Sequence, residues 1–77
     1  MKTCKIMLNT INDVKNFVEL ANRYDFDVDL VSGRYAVDAK SIMGIFSLDL
    51  TKPIQVEAHT EGDNTKFFED IKNFITE

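Results

Sequence analysis

The chain reads as an α+β domain of the open-faced β-sandwich kind: a four-stranded antiparallel sheet covered by three helices, in the order β-α-β-β-α-β-α. Three observations predict it. The strand-like stretches place apolar residues on one face only, which is how an antiparallel sheet with one covered face is written. Two longer stretches carry apolar stripes at helical spacing. A serine-glycine-arginine turn joins two of the strand-like stretches into a hairpin. At 77 residues the chain has room for one small core, so residues 1–77 are read as a single domain.

The first strand is expected over Thr3 to Leu8, where Cys4, Ile6 and Leu8 alternate with Thr3, Lys5 and Met7. Thr10-Ile11-Asn12-Asp13 reads as a capping box, with the threonine oxygen accepting a helical N–H and Asp13 bonding back. The helix it opens carries Val14, Phe17, Val18, Ala21 and Tyr24 on one stripe. Asp25 and Asp27 end that pattern. Val28 and Leu30, then Tyr35, Val37 and Ala39, mark two strands around Ser32-Gly33-Arg34. Ser41 to Ser47 forms a short helix, and Ile54, Val56 and Ala58 give the inward face of a last strand, which Pro53 precedes without removing a needed donor. Glu61-Gly62-Asp63-Asn64 reads as a turn and cap. Phe67, Phe68, Ile71, Phe74 and Ile75 then recur at the spacing of one continuous closing helix, and truncating Phe67 or Phe74 is expected to unfold the domain.

Composition narrows the function. The formal charge of -4, with no cluster of Lys and Arg, repels phosphate backbones and anionic lipid, so nucleic acid and membrane are not expected as direct partners. Lone Cys4 forms no internal disulfide and is read as a small buried strand residue, which suits a soluble protein of a reducing cytoplasm. No apolar run reaches the roughly 20 residues that cross a bilayer, and Met1-Lys2-Thr3 does not lead into a signal-peptide core. No catalytic constellation, metal motif or cofactor motif stands above chance, so neither an enzyme nor a cofactor is expected. His59 falls out of phase with the core face of its strand and is read as a solvated residue of the open sheet face. A lone histidine makes no metal site. Asp25, Asp27, Asp29 and Asp38 read as a solvated acidic rim, since they lie on extended segments without a calcium-binding loop.

Several stretches resemble the HPr family of sugar phosphotransferase carriers: RYDFDVDL before the hairpin, DAKSIMGIFSL through the short helix, and the EGDN turn. Together they span Arg23 to Glu77, and the KSIMG run is the specific part, similar to the regulatory-serine segment of HPr proteins from low-GC Gram-positive bacteria. The resemblance implies the same element order. In that family the loop before the first long helix holds a phosphoryl-accepting histidine followed by an arginine and a proline, in a run resembling GLHTRPA. Here the matching loop is Leu8-Asn9-Thr10-Ile11-Asn12-Asp13, shortened and without any of the three. Phosphohistidine transfer needs an imidazole nucleophile where helix N–H groups and a cation hold the phosphoryl oxygens. Thr10 and Asn12 offer no such nucleophile, and Asp13 repels the incoming group. No phosphoryl relay is expected through this loop.

Ser41 matches the serine that HPr kinase phosphorylates in family members, and its place at a helix start, beside Lys40, suits a phosphate. It also reads as a plain N-cap, worth about 1 kcal/mol in any helix. Asp38 and the overall acidity oppose a second negative charge there. Ile42, Met43 and Phe46 are expected exposed, with Ile45 and Leu48 turned inward. The resemblance makes Lys40, Ile42, Met43 and Phe46 a partner-binding surface, with HPr kinase/phosphorylase or a catabolite-control transcription regulator as partner. The expectation is a non-catalytic domain similar to the Crh-like, histidine-less branch of the family, switched by phosphorylation of Ser41 in carbon catabolite regulation. The alternative is a stand-alone interaction module unrelated to sugar transport, whose serine is only a cap.

Overall fold

The period-two stretches become β1 (Lys2–Ile6), β2 (Asp27–Ser32), β3 (Tyr35–Asp38) and β4 (Ile54–His59) in this computed structural model, which describes residues 2–60, 62 and 65–76. The helical stretches become α1 (Ile11–Asn22), α2 (Ile42–Phe46) and α3 (Thr65–Asp70), the last continued by a 3₁₀ turn at Lys72–Phe74. Every strand pairing is antiparallel, in the order β1-β4-β2-β3. The last strand of the sequence is thus inserted beside the first, with β2 on its other flank. The expected EGDN turn lies mostly outside the described residues.

Alternation along the strands divides the sheet into a dry and a wet face. Ile54, Val56 and Ala58 of β4 are fully buried, as are Ile6 of β1 and Val28 and Leu30 of β2. They meet Val14, Phe17 and Ala21 of α1, Ile45 of α2, and Phe67 and Ile71, in one core cluster. Cys4, on edge strand β1, is only half-buried, and that burial raises its thiol pKa. It is packed against the core and is a poor nucleophile.

The termini of α1 and of the hairpin follow their local chemistry. The Thr10 hydroxyl oxygen accepts from the Asp13 N–H at 3.0 Å, and the Asp13 carboxylate accepts from the N–H of Asn9, one residue before the position a capping box prescribes, at 3.0 Å. Ser32 pairs with Tyr35 across a two-residue turn whose first residue, Gly33, lies at φ +60°. That left-handed value at the first central position is what a twist-matched hairpin turn requires, and glycine meets it without strain.

The closing segment departs from the sequence expectation. A single helix through Ile75 was indicated by the period, yet the helix stops at Asp70 and Ile71 takes φ -96°, ψ 4°. Phe74 and Ile75 instead lie beside β1: Ile75 bridges Ile6, the Met7 N–H donates to the Phe74 carbonyl at 2.9 Å, and the Thr76 N–H donates to the Lys5 carbonyl at 2.8 Å. The open flank of β1 offers backbone partners that another helical turn could not use, and Asn73 and Thr76 hold the helix only weakly. The side chains keep their apolar role, because Phe74 still meets Phe17 edge-on with ring centroids 5.7 Å apart.

Phe67 is the hub of the aromatic packing, with Tyr24, Phe26 and Phe68 edge-on to it at 5.3, 5.5 and 5.3 Å. The Tyr24 hydroxyl donates a short hydrogen bond to the Asp70 carboxylate, joining the end of α1 to α3. That bond, then burial and the Asp70 charge, raises the tyrosine pKa above its usual value of 10.0.

Removing the Phe67 ring should cost about 3 to 5 kcal/mol, whereas half-buried Phe74 should cost less on truncation to alanine; urea unfolding of Phe67→Ala and Phe74→Ala ranks the two. A raised phenol pKa means stabilisation that is complete below pH 10 and is lost as the pH climbs through the folded-state value. Melting temperatures of the wild type and Tyr24→Phe, followed upward from pH 8, should therefore show the wild type losing more stability than the variant above pH 10.

Candidate functional site

Helix α2 and the loop before it form the candidate site. Their geometry begins with the edge of the sheet. The Ala39 N–H donates to the Val28 carbonyl at 2.8 Å, seating buried Ala39 against β2 just past the end of β3. The chain then turns sharply: the Ser41 N–H donates to the Asp38 carbonyl at 3.0 Å, and the Lys40 N–H donates to the Asp38 carboxylate at 2.8 Å. Asp38 is thereby part of the turn that presents Ser41.

Ser41 is the N-cap of α2. Its backbone is extended at φ -106°, ψ 107°, and its hydroxyl oxygen accepts from the Gly44 N–H at 3.2 Å. Gly44 allows the helix to lie this close to β3, since a Cβ there would come within 3.3 Å of both the Ser41 hydroxyl oxygen and the Val37 Cβ. Ser41 itself is exposed. The Lys40 ammonium donates instead to the Tyr24 carbonyl at 2.8 Å, which ties the serine turn to the C-terminal end of α1.

The apolar residues of α2 sort differently from the expected set. Ile45 is fully buried and Leu48 nearly so, as anticipated, and Met43 and Phe46 are exposed by 77% and 43%. Ile42, expected outward, is half-buried and packed against the core. At 3.6 residues per turn Ile42 lies about 60° from Ile45 around the helix, as Met43 does from Phe46, and the mean directions of the two pairs are about 100° apart. The exposed apolar surface of α2 is therefore Met43 and Phe46.

One exposed apolar residue was not expected. Ile11, the first residue of α1, is 62% exposed, and α1 and α2 pack against each other. Its spacing from Val14 puts it in the buried stripe by period alone, so only the packing reveals it. At the same helix start, Thr10 and Asp13 already engage the N–H groups of Asp13 and Asn9. The loop from Leu8 to Asp13 thus places the Asp13 carboxylate at the helix start, where it repels an anion.

The remaining candidates lie elsewhere. His59 points away from the core at the end of β4, as expected, but it is not simply solvated: its Nε2 lies 2.9 Å from the Asp29 carboxylate on β2. With Asp27, Asp29 and Asp38 it lines a shallow depression, which explains where three of the four rim aspartates gather. No cluster of metal-ligating residues forms among the described residues. No helix there is long and apolar enough to cross a membrane.

Met43→Asp should leave stability within about 0.5 kcal/mol of wild type, because an exposed position tolerates charge, whereas Ile45→Asp should abolish cooperative unfolding. Circular dichroism melts of the two variants separate the outward from the inward side of α2.

Comparison with known proteins bears on the same region. The family model described as "PTS HPr component phosphorylation site" matches residues 12–77, beginning just after Thr10 and Ile11 of the altered loop. A search of curated protein sequences matches nothing. Among solved structures, the chain is similar to HPr-C-His from Thermoanaerobacter tengcongensis at 25% identity and a TM-score of 0.77, covering 95% of this chain and 89% of that one. It is similar to the phosphocarrier protein HPr from Bacillus anthracis str. Ames at 26% identity and a TM-score of 0.70, covering 97% and 94%.

Proposed function

The chain belongs to the HPr family, and on that premise we propose that it acts as a regulatory protein-interaction domain rather than as a phosphoryl relay. Its family members are phosphocarriers of the sugar phosphotransferase system, acted on by other proteins rather than catalytic themselves. The only histidine of this chain is His59, at the end of β4 and paired with Asp29, while the loop from Leu8 to Asp13 has none. A phosphohistidine route therefore lacks its nucleophile.

The observation that carries the reading is the adjacency of exposed Ser41 to the exposed Met43 and Phe46. Large apolar side chains that stand out of a short, fixed helix are the kind of anchor that dominates protein contacts. A phosphate on Ser41 would add charge at the rim of that contact and change the affinity of a partner for it. In this reading Lys40 contributes by holding the serine turn against α1, and Ile42 by seating the helix on the core. In this reading the partner is HPr kinase/phosphorylase or a catabolite-control transcription regulator, as for Crh-like relatives, in the cytoplasm and with no cofactor.

A second reading is favoured by the hydrogen bond from the Gly44 N–H to the Ser41 hydroxyl oxygen. It makes the serine a cap alone, in an interaction module with no link to sugar transport. The readings part on one experiment. Intact-mass analysis after incubation with HPr kinase and ATP should show one added phosphate, absent in Ser41→Ala, beside a histidine-bearing HPr as positive control. A labelled control with an unlabelled chain would overturn the switch and leave the capped module, whose binding would then be indifferent to Ser41→Glu.

A further inference from the structure

The hairpin and the segment after α2 enclose a second, chemically different feature: an open cleft of about 470 Å³ lined by residues 32–35, 47–49, 52 and 53. We infer that this cleft is a binding site for a small phosphomonoester, held between the Arg34 guanidinium on one wall and the Lys52 ammonium on the other.

Elsewhere in this acidic chain, Lys40 is held by the Tyr24 carbonyl, and Arg23 and Lys72 stand 3.7 Å from Glu19 and Glu69 in exposed pairs. Arg34 has no ion pair among the described residues. Its planar fork, next to the Gly33 turn, suits two oxygens of one phosphate. Lys52 stands 4.0 Å from Asp49, a loose and exposed pair from which the ammonium can turn to a ligand at little cost. Asp49 is occupied otherwise: its carboxylate accepts from both the N–H and the hydroxyl of Thr51, at 3.0 and 2.6 Å, and these bonds lower its pKa. It leaves the cleft two cations against one anion.

The surroundings do not cancel that balance. Two of the carbonyls near the end of α2 are met within the chain, since the Ser47 N–H and hydroxyl both donate to Gly44 and the Leu48 N–H donates to Ile45. The acidic depression lies at the far end of β3, where Asp38 is three residues from Tyr35, or roughly 10 Å along the strand. That is about one Debye length at moderate salt. The Tyr35 ring, 71% exposed on the cleft wall, and Pro53 offer an apolar flank for whatever the phosphate carries. A volume of about 470 Å³ lies within the range of small-ligand clefts.

Two kinds of phosphomonoester share this chemistry, a nucleoside monophosphate and a sugar phosphate. The test is an amide-resonance titration of the chain with AMP, with ribose 5-phosphate and with adenosine. Saturable shifts confined to Gly33, Arg34, Leu48 and Lys52 with either phosphate, weakened at least about tenfold in Arg34→Gln and in Lys52→Gln, would establish the site. Tighter binding of AMP would identify stacking on Tyr35, and equal binding would identify the sugar phosphate as sufficient. Absence of saturation up to about 10 mM of either phosphate, shifts unaltered in both variants, or equal binding of adenosine would overturn it. Arg34 and Lys52 are exposed, so both variants should fold, and unchanged spectra outside the cleft would verify it.

Discussion

A sheet with one apolar face is unstable until that face is covered, and here the cover depends on β4. Ile54, Val56 and Ala58 are fully buried at the middle of the sheet, and the strand that carries them is hydrogen-bonded on both flanks. Because β4 comes late in the sequence, neither β1 nor β2 has its inner partner until most of the chain has been brought together. The helices are held by the same requirement. Phe17 from α1, Ile45 from α2 and Phe67 from α3 belong to the same core cluster as this row of side chains. The cost of ordering a small chain is offset chiefly by that single shared burial.

The position of α2 follows from this arrangement more than from its own propensity. Five residues make a poor isolated helix. It persists because Ile45 and Ile42 pack downward, because Ser41 and Ser47 close its two ends, and because Gly44 lets it lie close to Val37 of β3. Anchoring so short a helix leaves its outer side with nothing to pack against, so Met43 and Phe46 stand in solvent. The bond from the Lys40 ammonium to the Tyr24 carbonyl then couples the serine turn to the aromatic cluster around Phe67. A change of charge at Ser41 would thus act on a surface fixed at both ends, which suits a contact switch better than a mobile loop does.

Family membership and a loop from Leu8 to Asp13 without histidine are compatible because they draw on different parts of the molecule. The fold is upheld by the buried row and its cover, which the relatives of known structure share at 25% and 26% identity. Relay chemistry would reside in the loop from Leu8 to Asp13, of which Leu8 is buried in the core while residues 9–12 are exposed. In this chain that loop caps α1: the Thr10 hydroxyl and the Asp13 carboxylate accept from the N–H groups of Asp13 and Asn9. Changing its exposed residues 9–12 alters the chemistry with little effect on the packing beneath them.

Much of this was legible in the order of residues. The alternation of Val28, Leu30, Ile54, Val56 and Ala58, the stripe from Val14 to Ala21, the glycine of the hairpin and the Ser41 cap all depend on spacing along one element. A one-dimensional pattern reports that spacing directly. Four features depended on neighbours distant in sequence. Phe74 and Ile75 leave the helix that their period implies because the flank of β1 offers backbone partners. Ile42 turns inward because the core lies on its side of α2, and Ile11 turns outward although its phase matches Val14. His59 meets Asp29 only because β4 is laid beside β2. Local sequence determines which side of an element is apolar, through the periodicity of the backbone; which part of that side meets another element is decided only when the sheet closes, because burial is a property of the assembled surfaces.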